Sequence, residues 1–102
     1  MTSKERAYLK SLAMNEEPIV HIGKDSLTPE VVKSTQEALK ARELVKIAVL
    51  NNCFDDIKEL AQTLSERTQS QVVQTIGRKI VLYKPSEDEE KRRILFGKKE
   101  SR

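Results

Sequence analysis

The sequence predicts an α/β protein of the two-layer α+β type, with element order α-β-α-β-α-β-β and a four-stranded mixed sheet on which the helices pack. Three observations predict it. Apolar residues recur at helical spacing in three separate segments, most clearly Ile57, Leu60, Ala61 and Leu64. Short β-branched runs alternate with those segments. The last two runs are joined only by Gly77-Arg78, which is a hairpin signal. At 102 residues the chain is the size of one domain, and 37% hydrophobic content suffices for its core.

The first helix is expected over residues 2–13. Thr2 and Glu5 have capping-box spacing, and Leu9, Leu12 and Ala13 form the apolar stripe with Tyr8 beside it. Lys4, Arg6 and Lys10 lie mostly off that stripe, as on a solvated face. Pro18 closes the next loop, and Ile19, Val20 and Ile22 mark a buried strand that ends at Gly23.

Thr28 then Pro29 signals a helix start: threonine caps, and proline at the first helical position loses no needed hydrogen bond. This second helix should run to about Arg42, with Val32, Thr35 and Leu39 on one side and Val31 and Ala38 adjacent. In the run Leu44 to Leu50, Val45, Ile47 and Val49 share a face, and both faces are largely apolar, so this strand belongs in the middle of the sheet.

The third helix is expected over about residues 54–67, with Asp55 and Asp56 at its positive end. Residues 71–76 and 79–84 are the hairpin strands. Val72 and Ile76 are expected on one face, Val73 and Thr75 on the other; Ile80 and Leu82 alternate with Val81 and Tyr83. The domain is expected over residues 1–86. Residues 87–102 are a charged tail, disordered or holding a short helix capped by Ser86 and Glu89 that carries Ile94, Leu95 and Phe96, and frayed from Gly97.

Charge and composition narrow the function. No apolar run is long enough for a membrane span, and the charged start lacks the apolar core of a signal peptide, so a cytoplasmic protein is expected. One cysteine, Cys53, with one histidine, His21, excludes an ordinary zinc site and an internal disulfide. The net charge of +3 is too mild to name a partner by itself.

Catalytic chemistry is thin. Gly23-Lys24 is no P-loop, because Pro18 and Asp25 stand where that motif needs glycine and Ser or Thr. No G-x-G-x-x-G occurs, and no second histidine supports a triad. His21 reads as structural or as lining a site, Cys53 as packed and inert, and Asp55-Asp56 as helix-start partners. Tyr83 is the one aromatic on a predicted strand, with Tyr8, Phe54 and Phe96 elsewhere, so a sheet-surface stacking platform for RNA is not expected. What stands out is the turn Gly23-Lys24-Asp25-Ser26 ahead of a helix start, which suits a phosphate, although most strand-to-helix turns bind nothing.

Taken together, Ile19-Val20-His21-Ile22-Gly23-Lys24, Leu27-Thr28, Leu44-Val45-Lys46-Ile47, Gln74-Thr75-Ile76-Gly77 and Ile80-Val81-Leu82-Tyr83-Lys84-Pro85-Ser86 resemble the stand-alone bacterial members of the CRM-domain family, the YhbY-like proteins. The resemblance covers roughly residues 2–86. It implies an RNA-binding domain whose fold is similar to the C-terminal domain of translation initiation factor three. Bacterial members associate with precursors of the large ribosomal subunit and assist its assembly; plant relatives use the domain in organelle intron splicing. The family's RNA-contacting feature is a G-K-x-G loop. Gly23, Lys24 and Asp25 match its first three places, and Ser26 stands where glycine is usual. Glycine there would allow positive φ; serine instead offers a hydroxyl that can donate to a phosphate.

The resemblance therefore implies a non-enzymatic, cofactor-free, monomeric protein that binds ribosomal RNA of large-subunit precursors. Gly23 and Ser26 would shape the loop, Lys24 would meet phosphate, and Asp25 would partly offset it. Arg78 and Lys79 at the hairpin tip, with Lys4, Arg6 and Lys10 on the first helix, would extend the basic surface. Two other readings remain: a protein-interaction module anchored by Ile94, Leu95 and Phe96, and, weaker, an enzyme acting on a small phosphorylated substrate.

Overall fold

The computed structural model describes residues 1–92 and 94. Its elements are α1 (Ser3–Ala13), β1 (Val20–Ile22), α2 (Pro29–Arg42), β2 (Leu44–Val49), α3 (Ile57–Thr68), β3 (Gln71–Ile76) and β4 (Lys79–Tyr83), followed by a short 3₁₀ turn, Glu89–Lys91. The strand order is β1-β2-β4-β3. β1 runs parallel to β2, and β4 runs antiparallel to both β2 and β3. This is the mixed four-stranded sheet expected, with β2 at its centre.

Alternation along the strands divides the core in two. Val45, Ile47 and Val49 of β2, Ile80 and Leu82 of β4, and Val20 and Ile22 of β1 face Leu39 of α2 and Leu60, Ala61 and Leu64 of α3. On the other face, Leu44, Val73, Val81 and Tyr83 pack under Leu9 and Ala13 of α1. The first face is covered by two helices and the second by one, so part of the second lies open.

The helix starts follow their local chemistry. Thr2 and Glu5 form the reciprocal capping box, each side chain accepting from the other's backbone N–H at 3.1 Å; such a cap contributes about 1 kcal/mol. Thr28 caps α2, accepting from the Val31 N–H at 3.1 Å. Lys46, a base within the sheet, donates to the carbonyls of Ala13 and Glu16 at 3.2 and 3.3 Å, just past the end of α1.

Several readings differ from the expectation. The first strand begins at Val20, and Ile19, expected within it and buried, is exposed. α3 begins at Ile57, not near residue 54, because Asp56 is its N-cap, accepting from the Glu59 N–H at 3.0 Å. An aspartate that bonds the backbone ahead of it holds its own residue out of the helix. The alternation of β3 is broken by a bulge between Val72 and Gln74. Val72 and Thr75 pair with Leu82 and Ile80 on the two-helix face, whereas Val73 packs beneath α1 and Ile76 pairs with Lys79. The expected grouping of Val72 with Ile76 is therefore wrong by the one inserted residue. Finally, the tail turn is capped by Asp88 rather than Ser86, and it ends before Ile94, which packs into the α1 cluster. Leu95, Phe96 and the segment from Gly97 lie outside the described residues.

The start of the tail is held by Glu43, at the C-terminus of α2. Its φ is +69°, and it is 1% exposed. Its carboxylate accepts from the N–H of Ser86 at 2.7 Å and of Ile94 at 2.9 Å, and its carbonyl accepts from the Lys84 N–H at 2.9 Å. Burial first, and then the Glu43 charge, raise the Tyr83 phenol above its ordinary pKa of 10.0; Arg92 pulls the other way.

Candidate functional site

β1 and β2 end side by side, and the β3–β4 turn lies at the same end of the sheet, since Ala48 pairs with both His21 and Lys79. Three connections meet there: residues 23–28 leading into α2, residues 50–56 leading into α3, and the hairpin tip. Two helix N-termini, each a partial positive charge, open from the same end.

The first connection is a closed turn, with the Ser26 N–H donating to the Gly23 carbonyl at 3.0 Å. Ser26 has φ +60°, the left-handed region where glycine is favoured. The fourth loop position thus requires positive φ, and serine occupies it against its own preference. Its hydroxyl is not aimed at solvent for a phosphate: it hydrogen-bonds the Asp55 carboxylate. Gly23 itself has no positive φ, and a methyl group on it would stand 3.6 Å from Asn52 Oδ1 and 3.9 Å from Leu50 Cδ1, ordinary contact distances. Lys24 and Asp25 are exposed, and among the described residues neither their backbone N–H groups nor the Lys24 ammonium finds a partner.

The second connection is clamped. Arg78 donates from Nε to the Val49 carbonyl at 3.0 Å, and from Nη2 to the carbonyls of Leu50 and Cys53 at 2.7 Å each. Arg78, expected as a free base at the hairpin tip, is instead the fastener between that tip and residues 49–53. Between the fastened, buried Cys53 and the tied Asp55 stands Phe54, 93% exposed.

Arg6 is likewise not free. Its Nη1 donates at 2.8 Å to each of the Val72 and Val73 carbonyls, the backbone turned outward by the bulge. The expected solvated helix face therefore holds for Lys4 and Lys10, which are exposed, and fails for Arg6. Lys79 is half-buried and leaves the sheet on the α1 side.

Beyond the reach of α1, that side carries a row in register across all four strands: His21, Ala48, Lys79 and Ile76. His21 and Ile76 are exposed. The row adjoins the loop end. The sequence reading missed Phe54 as an exposed neighbour of the turn, and Ile76 as an exposed side chain on the far edge strand at the same end of the sheet; the end of the β-branched run at Ile76-Gly77 was the available signal for the second. It also missed a cleft of about 1150 Å³ at the opposite end, lined by Lys33, Lys40, Arg67, Lys84 and Lys91 together with Glu37, Glu87 and Asp88. Among the described residues no group of three His, Cys, Asp or Glu side chains could hold a metal ion, and no helix is long and apolar enough to cross a membrane.

Comparison with known proteins agrees with this architecture. The sequence model of the CRS1 / YhbY (CRM) domain matches residues 1–84. The chain is 43% identical over 88 residues to the Bacillus subtilis protein named "Probable RNA-binding protein YqeI", a match that covers 86% of this chain and 92% of that one. It is 33% identical over 88 residues to a Haemophilus influenzae protein named "RNA-binding protein", covering 86% and 89%. Among solved structures, the hypothetical protein SAV1595 from Staphylococcus aureus superposes with a TM-score of 0.76 at 45% identity, over 93% of this chain and 99% of that one.

Proposed function

This chain belongs to the CRS1 / YhbY (CRM) domain family, and on that premise we propose that it binds RNA through the Gly23–Ser26 turn, contacts ribosomal RNA in precursors of the large subunit, and assists their assembly as a cytoplasmic monomer without catalytic activity. The observation that carries the reading is the exposed Lys24 in a closed turn whose Lys24 and Asp25 N–H groups have no partner among the described residues. Backbone donors beside a helix start, with a mobile ammonium among them, are the chemistry that meets a phosphate. Relatives named as RNA-binding proteins support the RNA part. The ribosomal part rests on the resemblance of the quoted motifs to the bacterial family members.

In this reading Gly23 and Ser26 hold the turn shape, and Ser26 acts through Asp55 rather than on the phosphate. Lys4, Lys10 and Lys79 extend the positive surface. Arg6 and Arg78 position the backbone, and their charge reaches RNA only through space. Contacts of this kind position RNA without reading its sequence. The alternative of a protein-docking tail is weakened, because Ile94, one of its three anchors, is half-buried against the domain's own α1 cluster.

The test is binding to large-subunit ribosomal RNA fragments across a salt series, wild type against Lys24→Glu. The expected result is a steep salt dependence for wild type. The variant should bind more weakly, with a log–log slope shallower by about one, the loss of one phosphate contact. Equal slopes would remove the turn from the interface.

A further inference from the structure

Resting on the RNA-binding reading of the Gly23–Ser26 turn, we propose that Phe54 is a stacking platform for an unpaired base, which makes the preferred ligand single-stranded or bulged RNA rather than a continuous duplex. Among the described residues Phe54 is the most exposed of the large apolar side chains, at 93%. A benzyl group left in water forgoes the stabilisation its burial would bring. It gains no packing role in return, since neither core cluster includes it.

The backbone that presents the ring is held on both sides. The Cys53 carbonyl accepts from Arg78 at 2.7 Å, and the Cys53 N–H donates to the Leu50 carbonyl at 3.0 Å. On the other side Asp55 is tied to Ser26 and Asp56 caps α3. A ring displayed from a braced loop loses little backbone entropy when a ligand stacks on it.

Its position relative to the turn follows from two contacts. Gly23 lies beside Asn52, and Ser26 is bonded to Asp55. The segments 23–26 and 52–55 therefore run alongside each other in the same direction. Lys24 and Phe54 both fall between the two contacts, so a strand whose phosphate meets Lys24 can set a base against the ring. Charge favours the same division. Asp56, two positions after Phe54, disfavours a phosphate at the ring, whereas a base is neutral and every base offers a π-face. In a continuous duplex the base faces are stacked on one another and closed to a side chain, so the ring selects RNA with at least one base free.

The experiment compares wild type, Phe54→Ala, Phe54→Trp and Lys24→Glu on two probes: a twelve-nucleotide single-stranded RNA of mixed sequence and the blunt-ended duplex it forms with its complement. Phe54→Ala should lose roughly five- to hundredfold affinity for the single strand, with an unchanged salt slope, and should bind the paired probe as wild type does. The chain has no tryptophan, so Phe54→Trp provides a single indole that can be excited apart from the tyrosines, and its emission should be quenched by the single strand and not by the paired probe. Circular dichroism confirms that each variant is folded, as expected for so exposed a position. Equal affinity of Phe54→Ala and wild type for the single strand, or unquenched emission of the bound Phe54→Trp, overturns the platform. If Lys24→Glu still flattens the salt slope in that case, the turn remains a phosphate contact and only the stacking fails. Absence of binding by wild type to either probe overturns both readings.

Discussion

At the end of the sheet where β1 and β2 finish, the carboxylate that ties two loops together lies in solvent; at the other end it is buried. The parts are otherwise alike. A non-glycine residue at positive φ precedes α2 (Ser26, +60°) and another follows it (Glu43, +69°). Asp55 ties the turn before α2 to the loop before α3, and Glu43 ties the end of α2 to the chain after β4. Buried Glu43 accepts two backbone N–H groups where water cannot replace it, so each bond counts for more and its loss leaves donors unpaired. Exposed Asp55 competes with water at every moment, and the Lys24 and Asp25 N–H groups beside it stay open to a ligand. One end of the fold is closed by its own carboxylate, and the other is braced while its donors remain available.

The largest effect should come from the closed end. Glu43→Ala removes the acceptor of two buried or half-buried donors and should lower the unfolding free energy by about 3 kcal/mol, read by urea denaturation, with earlier proteolysis after residue 84. A loss below about 1 kcal/mol would show that the carboxylate does not hold the tail.

At the open end the effects are smaller and opposed. Ser26→Ala and Ser26→Gly both delete the bond to Asp55, but only glycine relieves the left-handed backbone. Ser26→Gly should therefore be the more stable of the two by about 1 kcal/mol, in the same urea assay. Equal stability would mean the turn relaxes in the alanine variant.

The smallest effect is confined to alkaline pH. Because the Tyr83 pKa is raised above 10.0 in the fold by burial and by Glu43, the native state keeps its phenolic proton when the unfolded chain has lost it. That contribution is fully present below pH 10 and is lost as pH rises through the folded value. Tyr83→Phe should show a shallower fall of stability above pH 10, and below it the two proteins should respond to pH alike. Parallel curves on both sides would mean that Tyr83 ionises as freely in the fold as in the unfolded chain.

Much of the architecture was legible because its signals are local. The Thr2–Glu5 capping box, the Thr28-Pro29 start and the spacing of Ile57, Leu60, Ala61 and Leu64 each act within one or two helical turns, and each helix formed where they stand. The start of α3 was misplaced because acidic residues suit both a first turn and a cap, and only the hydrogen bond from Glu59 to Asp56 distinguishes them. The bulge at Val73 left no mark on composition: an inserted residue of the same type shifts the register without changing the β-branched run that announces the strand.

The candidate site was legible in its centre and not in its surroundings. Gly23-Lys24 was singled out from the turn and the helix start beside it, both of which the structure contains. Arg6 and Arg78 were read as free charge, yet Arg6 bonds carbonyls 66 and 67 positions away, and Arg78 bonds carbonyls 25 to 29 positions away. By itself the sequence determined the elements, their order and the apolar faces, because propensity, capping and periodicity depend on near neighbours. Only the tertiary structure decided which bases are free and which aromatic ring is left in water. Whether an arginine meets solvent or an unpaired carbonyl depends on backbone brought to it from distant parts of the chain.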